Sequence, residues 1–154
     1  EVTMNIFDEF FSIIKKLNDA GIKYAVVGGI ALSFYVEPRF TKDIDFLVLS
    51  DRVDDFRKIL KDVGYKFEVD PWTFKNVQIT LHRLSKIEGT SSMTIDILEG
   101  KESRLEEIIK NAVTENTEHG EVRVAAIDDL VWMKRQRGSK QDLADIEALS
   151  NVKD

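Results

Sequence analysis

Three acids stand where acids are costly. Asp43 and Asp45 lie in DIDFLVL (Asp43–Leu49), and Asp96 lies in MTIDIL (Met93–Leu98), with Asp45 and Asp96 framed by apolar residues on both sides. Both stretches read as strands, because short runs of β-branched and large apolar residues suit a buried pleat. Side chains two apart on a strand share a face, so Asp43 and Asp45 point one way and Ile44 the other. Two carboxylates about 4 Å apart repel by roughly 4 kcal/mol at an effective dielectric near 20. Such a pair calls for a proton, water or a cation. An all-oxygen ligand set suits a hard divalent ion, Mg²⁺ above all, with Mn²⁺ accepting the same set. With Asp96 on a neighbouring strand, the three acids would form a triad able to hold two ions. Two ions can clamp the attacking and leaving oxygens of a phosphoryl displacement.

A second group of residues suits phosphate. The apolar run IKYAVV ends at Gly28 and Gly29, and IALSFYV follows. Glycine N–H groups can approach a ligand closely, and the helix start beyond them adds partial positive charge. Arg39 and Thr41 stand in the loop that leads to the acid pair, where they serve either substrate contact or the turn. Near the C-terminal end, Lys134 and Arg137 are three apart and so share one helix face, placed to offset the charge of a triphosphate or of pyrophosphate. Asp142 stands three after Ser139, which suits a helix start as well as a ligand contact. Asp145 can pair with a nearby base. His82 and His119 are isolated, without metal-ligand spacing, and read as structural or solvent-facing. Trp72 follows Pro71 in an expected loop, with packing favoured over stacking on a base, and Trp132 belongs to the core of the tail.

The elements that must position these groups follow from periodicity. Helical spacing of Ile6, Phe7, Phe10, Phe11, Ile13, Ile14 and Leu17 predicts a first helix to about Asn18, stopped by Gly21. A strand then ends at Gly28-Gly29, and a short apolar helix ends before Pro38. After the strand DIDFLVL, Ser50 is expected to cap a helix that Gly64 ends. YKFEV, NVQITLHRL and MTIDIL read as strands, the last two joined by the polar turn SKIEGTSS. ESRLEEIIKNAV reads as a helix, and TENTEHGEVRVA as a hairpin turning near His119-Gly120. Asp128 is expected to cap a helix closed by Gly138, and Ser139 to cap the last one. The fold class is therefore α/β (α+β), with a mixed, mostly antiparallel sheet flanked by helices and a helical tail at about 127–150.

Bulk properties set limits. The chain has 154 residues, 43% hydrophobic, which fits one ordinary domain over 1–154. Its net charge of −6 argues against a broad positive surface for nucleic acid. Cysteine is absent, so disulfides and thiolate metal sites are excluded, in keeping with a cytoplasmic setting. No apolar run approaches the length of a membrane span, and no signal-peptide pattern is present.

The stretches VVGGIALSF, RFTKDIDFLV and TIDIL together resemble the nucleotidyltransferase superfamily, with the DNA polymerase β-like fold. LVWMKRQRGSKQDLADIEAL looks like the tail motif of its AbiEii-type, toxin-like branch, through Lys134, Arg137, Asp142 and Asp145. The likeness spans about Tyr24 to Leu149. It implies transfer of a nucleoside monophosphate from an NTP to an acceptor hydroxyl, with release of pyrophosphate. Asp43, Asp45 and Asp96 would then be the catalytic acids and the ligands of two Mg²⁺ or Mn²⁺ ions. Gly28, Gly29, Arg39, Thr41, Lys134, Arg137 and Asp142 would bind the nucleotide. Many members carry Gly-Ser where this chain has Gly28-Gly29, so backbone donors alone would serve here. The acceptor would be an RNA or tRNA end, a protein hydroxyl or a small molecule, and a cognate toxin or antitoxin protein would be a partner. The other reading is a nucleotide-sensing or partner-binding module with the same fold and no turnover.

Overall fold

The computed structural model describes residues 4–36, 43–74 and 78–153. Its elements run α1 (Ile6–Asp19), β1 (Tyr24–Val27), α2 (Gly28–Ser33), β2 (Asp43–Leu49), α3 (Val53–Asp62), β3 (Phe67–Glu68), β4 (Trp72–Phe74), β5 (Ile79–Glu88), β6 (Ser91–Gly100), α4 (Ser103–Lys110), β7 (Val113–Thr117), β8 (Gly120–Val124), α5 (Ile127–Arg137) and α6 (Lys140–Lys153). The strands form one sheet in the order β3-β5-β6-β2-β1-β8-β7, with β4 paired to β5. Pairing is antiparallel except for β2 with β6 and β1 with β8. The mixed, mostly antiparallel sheet and the helical tail are as the sequence implies.

The core explains the order of the central strands. Tyr24–Val27 is buried throughout, and Ile44, Phe46 and Val48 of β2 are sealed from solvent. Phe46 stacks on Phe10 of α1 at 6.0 Å between ring centres and meets Phe56 of α3 edge-on at 5.3 Å. Helices α1 and α3 thus cover the face of β2 opposite Asp43 and Asp45. Asn5 starts α1 by accepting from the N–H groups of Phe7 and Asp8, satisfying two of the four donors a helix start leaves open.

Several boundaries differ from expectation, each for a local reason. Strand β1 stops at Val27, and both glycines belong to the first turn of α2. Ser50 does not cap α3; it opens a 3₁₀ turn, Ser50–Arg52, and its hydroxyl donates to Gly100 O. Asp128 is not the cap of α5 either, because Ala126 holds that position and Asp128 falls in the first turn. The polar run SKIEGTSS is mostly strand: β5 and β6 continue to Glu88 and Ser91, and only Gly89 and Thr90 turn the chain. Cross-strand partners such as Ser85 Oγ and Thr94 Oγ1, 3.0 Å apart, satisfy the polar side chains there. Trp72, expected in a loop, lies on strand β4. The cap at Ser139 is present, its hydroxyl accepting the Asp142 N–H at 3.0 Å.

Candidate active site

The parallel pairing of β2 with β6 brings the three acids together. Asp45 and Asp96 are direct register partners, and Asp43 sits opposite Thr94 two residues along on the same face. Asp96 is buried, at 3% exposure, while Asp43 and Asp45 are half-buried and open to a cleft. Burial, then the neighbouring charges of Asp96 and Asp43, push the Asp45 carboxyl up to about 8, and it shares a hydrogen bond with Asp96. The sequence anticipates this crowding: carboxylates this close hold a proton unless a cation arrives.

The position of Gly28 explains why a glycine follows β1. Its φ is +71°, a region that side chains rarely adopt, and a Cβ there would collide with the Asp45 carboxylate. The backbone at the start of α2 therefore lies directly against the acids. Gly29 lines the same cleft.

Arg83 was not singled out in the sequence. It is the cross-strand partner of Asp96, and its guanidinium donates from Nε and Nη2 to the two carboxylate oxygens at 2.8 and 3.0 Å. The guanidinium also lies over the Trp72 ring, its Cζ 5.3 Å from the ring centre. The one available signal was the alternation Ile79-x-Leu81-x-Arg83, which puts a cation on the same face as two apolar residues.

The helical tail forms the opposite wall. Lys134 is buried and donates to Asp145 Oδ2 at 3.0 Å, while Gln141 donates to the other oxygen at 2.8 Å. Arg137 donates twice to Asp142, at 2.7 Å each, and Ser139 adds its N–H and hydroxyl at 3.0 and 2.7 Å. Burial alone would raise the Asp142 carboxyl, but Arg137 and Ser139 outweigh it and hold it at about 2. Asp142 thus both starts α6 and fixes Arg137, and Lys134, Arg137 and Asp142 all line the cleft. Arg39 and Thr41 lie outside the described residues. His82 pairs with Glu99 at 3.0 Å, and His119 is exposed beside Phe11, so neither joins the site. Trp132 is half-buried under the Arg104 guanidinium.

The cleft encloses about 810 Å³ between the acids, the tail and a wall of Trp72, Phe74, Ile79, Leu81 and Leu98. A smaller hollow of about 520 Å³, lined by Arg104, Trp132 and Arg135 among others, contains none of the acids. Among the described residues no three His, Cys, Asp or Glu side chains stand as a ready cation cage. Asp96 has both oxygens turned to Arg83. The donor chemistry still fits a hard divalent ion, with the Asp43 and Asp45 carboxylates crowded on one face and Asp96 next to them.

The fold is that of the nucleotidyltransferases. Three solved structures share it: the lincosamide antibiotic adenylyltransferase LnuA bound to lincomycin (13% identity, 99% of each chain, TM-score 0.62), TM1012 of Thermotoga maritima (12% identity, 95% of this chain and 92% of that one, TM-score 0.64), and ANT(2")-Ia with adenylyl-2"-tobramycin (13% identity, 92% and 86%, TM-score 0.58). No curated protein matches the chain in sequence. A family model matches over residues 3–153, and the chain belongs to that family, DUF6036, the nucleotidyltransferases of unknown function.

Proposed function

We propose that the chain transfers a nucleoside monophosphate from an NTP to an acceptor hydroxyl and releases pyrophosphate, using Asp43, Asp45 and Asp96. The observation that carries this reading is the register Asp45↔Asp96, which sets the acids side by side against the glycine turn. Asp43 and Asp45 would hold Mg²⁺ or Mn²⁺, two ions when Asp96 turns from Arg83 to join them. The ions would supply charge neutralisation at the transferring phosphate. Backbone N–H groups at Gly28 and Gly29 bind the β- and γ-phosphates. Lys134 and Arg137, fixed by Asp145 and Asp142, offset the charge of the triphosphate and of the leaving pyrophosphate. Asp96 takes the proton of the attacking hydroxyl as its oxygen bonds to the α-phosphorus and the bond from that phosphorus to the β-phosphate oxygen breaks. Most of the rate comes from positioning and charge stabilisation. Arg39 and Thr41 are proposed substrate contacts on sequence grounds.

Two fold relatives hold a small antibiotic, lincomycin in LnuA and adenylyl-2"-tobramycin in ANT(2")-Ia, which supports a small-molecule acceptor here. The AbiEii-like tail motif favours a second setting, toxin–antitoxin chemistry with an RNA or protein acceptor. Calorimetry tests the core reading. NTP binding that requires Mg²⁺ or Mn²⁺, and that disappears in Asp43→Ala/Asp45→Ala, is the expected result. Absence of nucleotide binding at millimolar metal in the wild type would leave a partner-binding module as the better account.

A further inference from the structure

The wall beyond Asp96 has a chemistry of its own. Across the sheet the cleft face runs from Gly28-Gly29 at the end of β1, through Asp43 and Asp45 on β2 and Asp96 on β6, to Arg83 on β5 and Trp72 on β4. A phosphoryl displacement is in line, so attacking and leaving oxygens lie on opposite sides of the phosphorus. With the β- and γ-phosphates at the β1 end, the acceptor hydroxyl must arrive from the β5 and β4 end. Strands about 4.8 Å apart put that end roughly 10–14 Å from Asp45, room for one ring system beside the reacting atoms.

We infer that Trp72, Phe74 and Arg83 form the acceptor subsite, and that it takes a small, uncharged, hydroxyl-bearing compound with a planar ring; this rests on the nucleotidyltransfer reading. Trp72 and Phe74 are 39% and 37% exposed, and their rings meet edge-on with centres 6.4 Å apart. Ile79, Leu81 and Leu98 complete an apolar floor. Arg83 braces the inner side of Trp72 while holding Asp96, so the ring that would stack on the acceptor is tied to the acid that would take its proton. Among the described residues the wall carries no carboxylate besides Asp96, which is already paired. A polyamine acceptor would need acids there. The net charge of −6, with Arg83 the one cation of this wall among the described residues, likewise disfavours a polyanionic RNA tract. Apolar and aromatic lining with one or two placed polar groups is the pattern of small-molecule sites.

Trp72 is its own reporter. The chain has two tryptophans, so Trp132→Phe leaves Trp72 as the only one. In that variant, 4-nitrophenyl β-D-glucoside (neutral, with ring and hydroxyls) should quench fluorescence saturably. Neither tobramycin nor a short oligoribonucleotide should displace it. In the otherwise native chain, Trp72→Ala/Phe74→Ala should weaken binding of the glucoside at least tenfold by calorimetry, with metal-dependent NTP binding kept within twofold. Absence of saturable quenching, equal binding by the double variant, or displacement by tobramycin or the oligoribonucleotide would overturn the assignment. The two readings fail separately. Glucoside binding without any metal-dependent NTP binding leaves a ring subsite and removes its acceptor role. NTP binding with no ring binding keeps the nucleotidyltransfer reading and discards the subsite.

Discussion

Arg83 and Asp96 face each other across β5 and β6 as direct register partners, joined by two hydrogen bonds of 2.8 and 3.0 Å. A guanidinium thus occupies the acid that a second metal ion would need. Arg83→Ala should therefore have two opposed effects. Without metal it strands a buried carboxylate and should lower stability by about 1–3 kcal/mol, less than for a fully buried pair because the arginine side chain is 38% exposed. With Mg²⁺ present, the freed Asp96 should tighten metal binding. Denaturant unfolding and metal calorimetry on the same variant check both. Unchanged stability together with unchanged metal affinity would mean that the pair is incidental.

Asp45 gives a pH prediction with a definite sign. Its folded value is raised to about 8 from 3.8, so the unfolded chain ionises first. The penalty is absent below 3.8, grows as pH rises, and is complete above about 8. The wild type should lose stability across that window, whereas Asp45→Asn should not. Thermal unfolding from pH 4 to pH 8 should show the Asn variant gaining on the wild type as pH increases. A constant gap would contradict the raised value.

Gly28→Ala should cost more than backbone strain. Gly21 has a similar φ, +68° against +71°, but open space where a Cβ would stand. Gly21→Ala should therefore show the strain alone, on the order of 1–3 kcal/mol. Gly28→Ala should lose more than that, because the new methyl collides with the Asp45 carboxylate, and it should lose NTP binding as well. Chemical denaturation of the two variants side by side isolates the collision. Equal losses would show that the carboxylate simply moves aside.

The buried pair Lys134–Asp145 supports a fourth prediction. Both groups are nearly sealed, at 7% and 3% exposure. Lys134→Met alone takes the ammonium away from a buried acid and should cost about 3–5 kcal/mol. Adding Asp145→Leu should recover a large part of that loss. A double-variant cycle from unfolding curves measures the coupling, and strict additivity would remove the pair from the account.

The acids were legible in the sequence because they break apolar strands, and a charge inside such a run has few structural uses. The glycine turn was legible because two glycines ended an apolar run. Arg83 was not, since its meaning lies in a register that depends on how far the β5–β6 hairpin extends. That length was hidden by SKIEGTSS, whose serines look like turn residues but pair across the strands. Trp72 was misplaced for a related reason: Pro71 reads as a loop signal, yet it only precedes the three-residue strand β4. The sequence suits Asp142 both to a helix start and to a ligand contact. The structure places it at the helix start and beside the cleft, with its oxygens taken by Arg137 and Ser139.

The parallel seam between β2 and β6 joins segments about fifty residues apart, and the cations of the opposite wall come later still, at Lys134 and Arg137. Contacts of such long sequence separation form slowly, and a chain emerging from the ribosome meets its N-terminal half first. The acids can therefore be assembled before α5 and α6 exist to face them. Arg83, made on the same hairpin as Asp96, is already that acid's register partner during the interval, so the carboxylate has a counter-charge before any substrate arrives.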